Sequence, residues 1–331
     1  MTVPQRRFGR TGLTIPHITL GGGWVGGLLI HGTEDQRFAQ LNEAMAAGVD
    51  WVDTAALYGQ GQSETRIGEW LKTTSKRPRL STKFSVDVWE GDIEGQIRRS
   101  LEASFTRLGV DRVEAVLLHN QIADGDAPGS FSGVSPNHVL RTGGIADIMD
   151  KLREEGLMDH IGFTALGDPV AAREVAASRR MDVAQVYYNM LNPTADTPAP
   201  PGWNTTDFLG LLHVMKAADM GVMGIRIFAG GFLATDERHG REIPITHNAE
   251  DAAEAARVAA MMTALDGEPG DRAQRAIRFG LASELLSTIV IGVGEDWHFT
   301  HALKALEMGP LDADPMARLD DVRAADGNFA S

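Results

Sequence analysis

Four polar residues, each at or just after the end of a short apolar run, carry the strongest chemical signal in this sequence. Asp53 and Lys83 end two such runs, His119 follows the run 113–118, and Tyr58 lies shortly after Asp53. A carboxylate, an ammonium, an imidazole and a phenol can together tune the phenol to donate or accept a proton near neutral pH. The set therefore indicates proton-transfer chemistry at a site built from strand ends.

Each of these residues taken alone also has an ordinary structural interpretation. Asp53 could cap the next helix, Lys83 could be a solvated strand end, and His119 could be a core histidine with satisfied hydrogen bonds. Tyr58 alone is uninformative. The joint occurrence favours chemistry, because the carboxyl ends of all strands in a parallel barrel open onto one face.

Composition and charge narrow the classes of function. The chain has 331 residues, a formal net charge of -14 and no cysteine. Such a charge disfavours nucleic acid and anionic membranes as partners, and the absence of cysteine excludes disulfides, thiolate metal sites and thiol catalysis. We see neither a secretory signal nor an apolar stretch long enough to span a membrane, so we expect a soluble cytoplasmic protein with a small-molecule substrate.

Apolar runs rich in β-formers alternate with segments of helical period, which is typical of repeated βα units and a parallel sheet. We expect strands near 17–21, 50–53, 79–83, 113–118, 158–164, 182–188, 222–228 and 288–292. The helical segments lie near 35–47, 63–73, 92–108, 143–155, 168–178, 206–219, 250–265, 272–283 and 296–307. Thr33 is the expected helix start, and Gly48, Gly109 and Gly156 are expected helix ends.

Eight βα units in a chain of this length fit a (β/α)₈ TIM barrel, although an open doubly wound sheet would share the same local pattern. We favour the barrel, as a single domain over residues 1–331. Three segments rich in Gly, Pro, Asp, Asn or Thr are expected to be long loops, at 121–142, 193–205 and 232–249. The tail 308–331 is expected to be irregular.

A glycine-rich segment after the first strand is a misleading signal. Residues 21–26 match G-x-G-x-x-G, the pattern of dinucleotide-binding open sheets. Residues 25–32 contain no helix opening, however, so no helix N-terminus is expected to face a pyrophosphate there. The segment is better interpreted as a flexible turn, with Trp24 available to form a pocket wall.

In order and spacing, the sequence resembles the aldo-keto reductase family over nearly its whole length. The matching positions are residues 7–13, Asp53-Thr54-Ala55 with Tyr58-Gly59 and Glu64, Thr82-Lys83, Leu117-Leu118-His119, and Gln185 with Tyr188-Asn189. Within the family it is similar to the bacterial and plant aldose 1-dehydrogenase branch or a neighbouring group.

The resemblance assigns a role to each of the four polar residues. It implies that Tyr58 is the general acid or base and that Lys83 is the cation that makes this phenol a usable proton carrier. Asp53 would pair with and orient Lys83, and His119 would hydrogen-bond the substrate oxygen. The cofactor would supply the hydride.

The resemblance also implies a nicotinamide cofactor bound in extended form across the barrel mouth, without a Rossmann domain. Thr164 and Gln185 would grip the carboxamide, although Ala165 replaces an Asn that is common in the family. Phe228 would stack on the ring, and the following glycines would approach phosphate. The expected cofactor contacts are Asp53, Thr164, Gln185, Phe228, Ala229, Gly230, Gly231, Leu233, Gly292, Gly294, Glu295 and His298.

The end of the last strand bears on the choice of cofactor. NADP-preferring relatives place Lys or Arg there to pair with the 2′-phosphate. Residues 291–298 contain Glu295 and Asp296 and no Lys or Arg. Carboxylates repel a phosphate and accept from ribose hydroxyls, so we expect NAD over NADP, with His298 as an additional phosphate contact when it is protonated.

The leading hypothesis is an NAD(P)-dependent oxidoreductase that interconverts an alcohol or sugar hemiacetal with a carbonyl or lactone. One alternative is an NADPH-dependent reductase of aldehydes such as pyridoxal. Another is a cofactor-sensing regulatory subunit. No metal is expected. The expected substrate contacts are Trp24, Tyr58, Trp89, His119 and Phe131, and the oligomeric state is open.

Overall fold

A closed barrel of eight parallel strands organises the computed structural model, which describes residues 3–23, 25–129, 132–203, 205–237, 240 and 251–325. The strands are β1 (Gln5–Arg7), β2 (Thr14–Pro16), β3 (Ile18–Gly21), β4 (Trp51–Asp53), β5 (Arg79–Phe84), β6 (Val113–Leu118), β7 (Gln121–Ile122), β8 (Gly133–Val134), β9 (Met158–Ala165), β10 (Val183–Tyr187), β11 (Gly221–Ile225) and β12 (Thr288–Gly292). The barrel order is β3-β4-β5-β6-β9-β10-β11-β12, closing back onto β3. The expected (β/α)₈ barrel is confirmed, and the open sheet is excluded.

Helices surround the barrel and return the chain from one strand end to the next strand start. They are α1 (Leu28–His31), α2 (Glu34–Ala47), α3 (Gln62–Thr73), α4 (Ile93–Leu108), α5 (Pro136–Leu140), α6 (Ile145–Glu154), α7 (Pro169–Ala177), α8 (Leu211–Ala217), α9 (Asp251–Ala264), α10 (Arg272–Ala282), α11 (His298–Met308) and α12 (Ala313–Ala325).

Local sequence signals explain where several of these helices begin and end. Thr33 and Gln36 form a capping box at the start of α2, which satisfies backbone N–H groups that have no partner within the helix. Gly48 and Gly109 adopt left-handed conformations at the ends of α2 and α4, where a residue with a Cβ would be strained.

The β1–β2 hairpin lies at the amino-terminal end of the barrel and fills its interior from below. Phe8 is fully buried and packs edge-on against Trp51, with ring centroids 5.2 Å apart. An inner apolar cluster fills the barrel around these two rings, and it consists of Phe8, Ile15, Trp51, Ala115, Leu117, Val183 and Met223. This part of the interior is therefore packed with apolar side chains. We call the carboxyl end of the strands the mouth.

The chain departs from the expected elements in three helical regions. The tail was expected to be irregular, but α12 is a helix, anchored by buried Leu319 and by Arg323, which donates to the Met190 carbonyl.

Helix α8 begins at Leu211 rather than near 206, because Leu209 and Gly210 both have positive φ. The segment 25–32 was expected to contain no helix opening, yet α1 forms one turn there after the left-handed Gly27.

Strand β11 and the long loops also differ from expectation. The strand ends at Ile225 instead of 228, because Arg226 turns to a φ of 59°. The loop 121–142 contains β7, β8 and α5, whereas 193–203 contains no helix or named strand. The loop 232–249 is described only through residue 237 and at residue 240. In the described part of the chain, no helix is long and apolar enough to cross a membrane.

Candidate active site

The mouth brings together the four polar residues singled out in the sequence. Asp53 ends β4, Lys83 is the last residue but one of β5, and His119 follows β6. These three strands are adjacent in the barrel, and Tyr58 lies in the loop after β4. Asp53 and Lys83 are buried, with 2% and 1% of their surface exposed, whereas Tyr58 is only partly buried. A ligand entering the mouth therefore meets the phenol before it meets the ion pair.

Lys83 holds the centre of this cluster. Its Nζ donates to Asp53 Oδ2 at 2.7 Å and to the Thr54 carbonyl oxygen at 2.8 Å. The third contact, from Nζ to the Tyr58 hydroxyl oxygen, is longer at 3.4 Å. Since the carboxylate and the carbonyl fix the ammonium, its remaining N–H is directed at the phenol.

The charge state of Lys83 follows from its surroundings. Burial acts to lower the pKa of the Lys83 ammonium, but attraction to Asp53 and then to Tyr58 outweighs it and raises the pKa above the ordinary value. Lys83 is therefore charged at neutral pH. A fixed positive charge beside the phenol oxygen can stabilise negative charge that develops there during a reaction.

His119 completes the cluster as a neutral imidazole. Its ring meets the Tyr58 ring edge-on, with centroids 5.7 Å apart and an interplanar angle of 81°. Burial, and then the nearby Lys83 charge, lower the pKa of His119 to about 3. The imidazole therefore stays neutral at neutral pH, and it can donate one hydrogen bond without bringing a second positive charge into the site.

Asp53 is held by two donors besides Lys83. Its Oδ1 accepts from Ser81 Oγ at 2.6 Å and from Gln185 Nε2 at 2.8 Å, the latter reaching across the barrel from β10. Ser81 is not among the site residues predicted from the sequence. The signal was present, because strand alternation places Ser81 on the same side of β5 as Lys83.

Thr164 and Gln185 lie beside each other on β9 and β10, as their strand register shows. Both are buried. Within the described residues, the Thr164 hydroxyl makes no hydrogen bond, and such an unpartnered polar atom is unusual in a protein interior. It is a ready contact for a polar group entering the mouth.

Comparison with known proteins identifies the relatives of this chain. A model of the Aldo/keto reductase family matches residues 17–324. The chain belongs to this family. It is an oxidoreductase that acts on CH–OH and carbonyl groups, and enzymes of this family use nicotinamide cofactors.

The individual relatives are distant in sequence. A D-threo-aldose 1-dehydrogenase from Pseudomonas sp is 28% identical over 263 residues, which cover 70% of this chain and 71% of the relative. An L-galactose dehydrogenase from Arabidopsis thaliana is 26% identical over 301 residues, covering 88% and 84%. The holo form of an aldo-keto reductase from Bacillus halodurans superposes with a TM-score of 0.73 at 17% identity, covering 97% and 96%.

The nicotinamide end of an aldo-keto reductase cofactor fits the residues present here. A carboxamide needs both donors and acceptors, and the Thr164 hydroxyl, which has no hydrogen-bond partner within the described residues, can act as either. The Gln185 amide nitrogen is already engaged with Asp53, so its carbonyl oxygen is the atom available to a ligand. The Asp53 carboxylate is in turn occupied by three donors.

The segment after β11 was expected to contact cofactor at Phe228, Ala229, Gly230, Gly231 and Leu233. Phe228 lies past the strand end, half-buried against the core, and Leu233 is fully buried. Ala229, Gly230 and Gly231 have φ values of 47°, 70° and 111°. A left-handed alanine is strained, and a contact between this segment and cofactor stays a prediction.

The segment after β12 is organised by His298. Its Nδ1 accepts from the backbone N–H groups of Gly294 and Glu295, both at 3.1 Å. These two amides are therefore satisfied within the chain and are not directed at a phosphate. Gly292 ends the strand, and the Glu295 side chain is exposed.

Only some of the residues expected to contact substrate lie among the described residues. Trp24 and Phe131 lie outside the described residues. Trp89 is 68% exposed on the loop after β5, where its backbone N–H donates to Asp87. Of the expected substrate contacts, the structure brings Tyr58 and His119 together.

Proposed function

We propose that this aldo-keto reductase interconverts an alcohol or a sugar hemiacetal with a carbonyl or lactone, with Tyr58 as the proton carrier and NAD as the preferred cofactor. The observation that carries the proposal is the fixed Lys83 ammonium, 3.4 Å from the Tyr58 oxygen and locked by Asp53 and Thr54.

The roles of the side chains follow from their charges. When bound, the nicotinamide supplies or accepts the hydride. In carbonyl reduction, Tyr58 gives its proton to the substrate oxygen, and Lys83 stabilises the phenolate that remains. In oxidation, the phenolate takes the alcohol proton, with the same partner holding the charge.

His119 serves a different purpose from Tyr58. A histidine that stays neutral down to about pH 3 is a poor proton donor at neutral pH. As a neutral donor it can hydrogen-bond the substrate oxygen and direct it toward the phenol. This separation leaves one proton carrier and one positioning donor, both at the same substrate atom.

The preference for NAD rests on charge after β12. Glu295 and Asp296 are exposed there, and the stretch 291–298 has no Lys or Arg. The backbone N–H groups of Gly294 and Glu295 are also taken by His298. A 2′-phosphate would meet carboxylates without a compensating cation, whereas ribose hydroxyls can donate to them.

The sugar substrate class rests on relatives whose names specify an aldose and L-galactose, at 28% and 26% identity. The test is a panel of aldoses, simple alcohols and aldehydes, including pyridoxal, assayed in both directions with NAD(H) and NADP(H). We expect aldose oxidation with NAD to give the highest kcat/KM.

Other outcomes of the panel would redirect the proposal. Strong selection of NADPH with aldehyde substrates would contradict both the cofactor and the sugar assignments. Tight cofactor binding without turnover of any substrate would contradict the enzymatic role proposed for Tyr58 and favour a cofactor-sensing regulatory subunit.

A further inference from the structure

A continuous line of hydrogen bonds rises through the barrel interior to the site. Trp51 Nε1 lies 3.1 Å from Ser81 Oγ, and Ser81 Oγ lies 2.6 Å from Asp53 Oδ1. Trp51 and Ser81 are fully buried. Phe8 supports the Trp51 ring from the base of the barrel.

The direction of these hydrogen bonds is fixed by the chemistry of the three groups. An indole nitrogen can only donate, so Ser81 must accept from Trp51. An ionised carboxylate can only accept, so the single hydroxyl proton of Ser81 must go to Asp53. Trp51 thus leaves Ser81 with one orientation, in which it serves the carboxylate.

We propose that Ser81, oriented by Trp51, is a positioning residue that holds Asp53 in the rotation at which its other oxygen fixes Lys83 beside Tyr58. The inference rests on the proposed function of Tyr58 and extends it to two residues beneath the site. Oδ1 is held by Ser81 and Gln185, which leaves Oδ2 directed at Lys83.

Ser81 makes the shorter of the two contacts to Oδ1, at 2.6 Å against 2.8 Å for Gln185. It lies opposite Asp53 on the neighbouring strand, whereas Gln185 reaches from the far side of the barrel through a longer side chain. The Ser81 position is closed to solvent, so water cannot replace its hydroxyl. Hydrogen bonds to charged groups are the costly ones to remove.

The first test compares Ser81→Ala with Ser81→Thr. Ser81→Ala should lower kcat roughly tenfold to a hundredfold and leave the cofactor KM within about twofold of wild type. Ser81→Thr keeps the hydroxyl and should recover most of the rate. Thr288→Val is the matched control, because it removes another buried hydroxyl, one bonded to Thr19, and should leave kcat unchanged.

The pH profile adds a readout that a loss of packing would not move. Asp53 raises the pKa of Lys83, so a loosened carboxylate should let Lys83 lose its proton at lower pH. The alkaline limb of kcat should therefore move to lower pH in Ser81→Ala. A wild-type kcat and an unmoved limb in this variant would overturn the inference.

A double-mutant cycle tests the role of Trp51. Trp51→Phe removes the N–H and should lower kcat several-fold in the wild-type background, but by less than about twofold once Ser81 is alanine. Independent, additive losses would show that Trp51 does not act through Ser81.

A crystal structure of Ser81→Ala separates this inference from the proposed function. We expect the Asp53 carboxylate to rotate and its 2.7 Å contact with Lys83 to lengthen. An unmoved carboxylate would refute the positioning role, whether or not the protein turns over a substrate. Failure of the whole substrate panel with a rotated carboxylate would instead refute the proposed function.

Discussion

The base and the mouth of the barrel both contain buried or half-buried charges, but the two ends use them differently. At the base, Asp182 accepts from Arg10, from Arg153 and from the Ile161 backbone N–H. Arg10 in turn donates to the carbonyls of Ala218, Arg179 and Met181. The charged groups there are bonded to one another and to the backbone.

The mouth is less completely bonded. Lys83 reaches Tyr58 only at 3.4 Å, and the Thr164 hydroxyl has no partner in the described residues. His119 is kept neutral by burial and by Lys83. A saturated network stabilises the fold, whereas a network with open positions can bind and react. Mutations at the base should therefore lower stability, whereas mutations at the mouth should lower the catalytic rate.

The largest kinetic effect is expected at the mouth, from Lys83→Met. Loss of the ammonium removes the charge that stabilises the Tyr58 phenolate, so kcat should fall by roughly 10³-fold or more. Steady-state assays with the best substrate from the panel measure this loss.

The Lys83→Met variant also leaves Asp53 without its cation. We therefore pair it with the double variant Asp53→Asn/Lys83→Met, which restores neutrality inside the barrel. Both should be inactive, and the double variant should be the more stable of the two. Near-normal kcat in either variant would show that the Asp53–Lys83 ion pair has a structural role, like the charged network at the base.

At the base, Asp182→Ala should cost stability and not rate. It leaves Arg10, Arg153 and a backbone N–H without their acceptor, which should lower the free energy of unfolding by about 3 kcal/mol. Urea denaturation measures the loss, and kcat/KM at 25 °C should stay within about twofold. A large kinetic defect in the folded variant would break the division between the two ends.

The two ends also differ in how well the sequence predicted them. The alternation of strands and helices predicted the barrel. The polar residues at the strand ends could be predicted to meet, because a parallel barrel of βα units brings β4, β5 and β6 side by side. The contacts of Ser81 and Trp51 beneath Asp53 were not predicted, because they depend on which hydroxyl faces which carboxylate inside the closed barrel. The segments around Arg226 and Leu209 were misjudged, since non-glycine residues take positive φ there only under tertiary constraint.

Stability at acid pH provides a test of the neutral His119. The folded protein holds the pKa of His119 near 3, whereas the unfolded chain has the ordinary value near 6.5. Below about pH 6.5 the unfolded state takes up a proton that the folded state refuses, so stability falls as pH decreases toward 3.

Between pH 7 and 5, wild type should lose about 2 kcal/mol more than His119→Asn, measured by urea denaturation at each pH. His17, whose pKa is lowered to about 4 by burial and then by Arg6, is present in both proteins, so its contribution cancels. Parallel losses in the two proteins would contradict a neutral, buried His119.

The smallest effect is expected from Thr164→Val. This variant tests whether a hydroxyl without a hydrogen-bond partner contributes to binding and not to stability. The hydroxyl has no partner to lose among the described residues, so stability should be unchanged or slightly higher. If Thr164 binds the nicotinamide carboxamide, the cofactor KM should rise about tenfold. A lower stability with an unchanged KM would place Thr164 among the structural residues.

The most direct test of the central claim is the kcat of Tyr58→Phe measured beside its cofactor Kd. The substitution deletes one hydroxyl and leaves the ring against His119 and Lys83. We expect kcat to fall by about 10² to 10⁴-fold while the Kd, from fluorescence titration, changes by less than about twofold. A variant that binds cofactor normally and turns over at close to the wild-type rate would contradict the account.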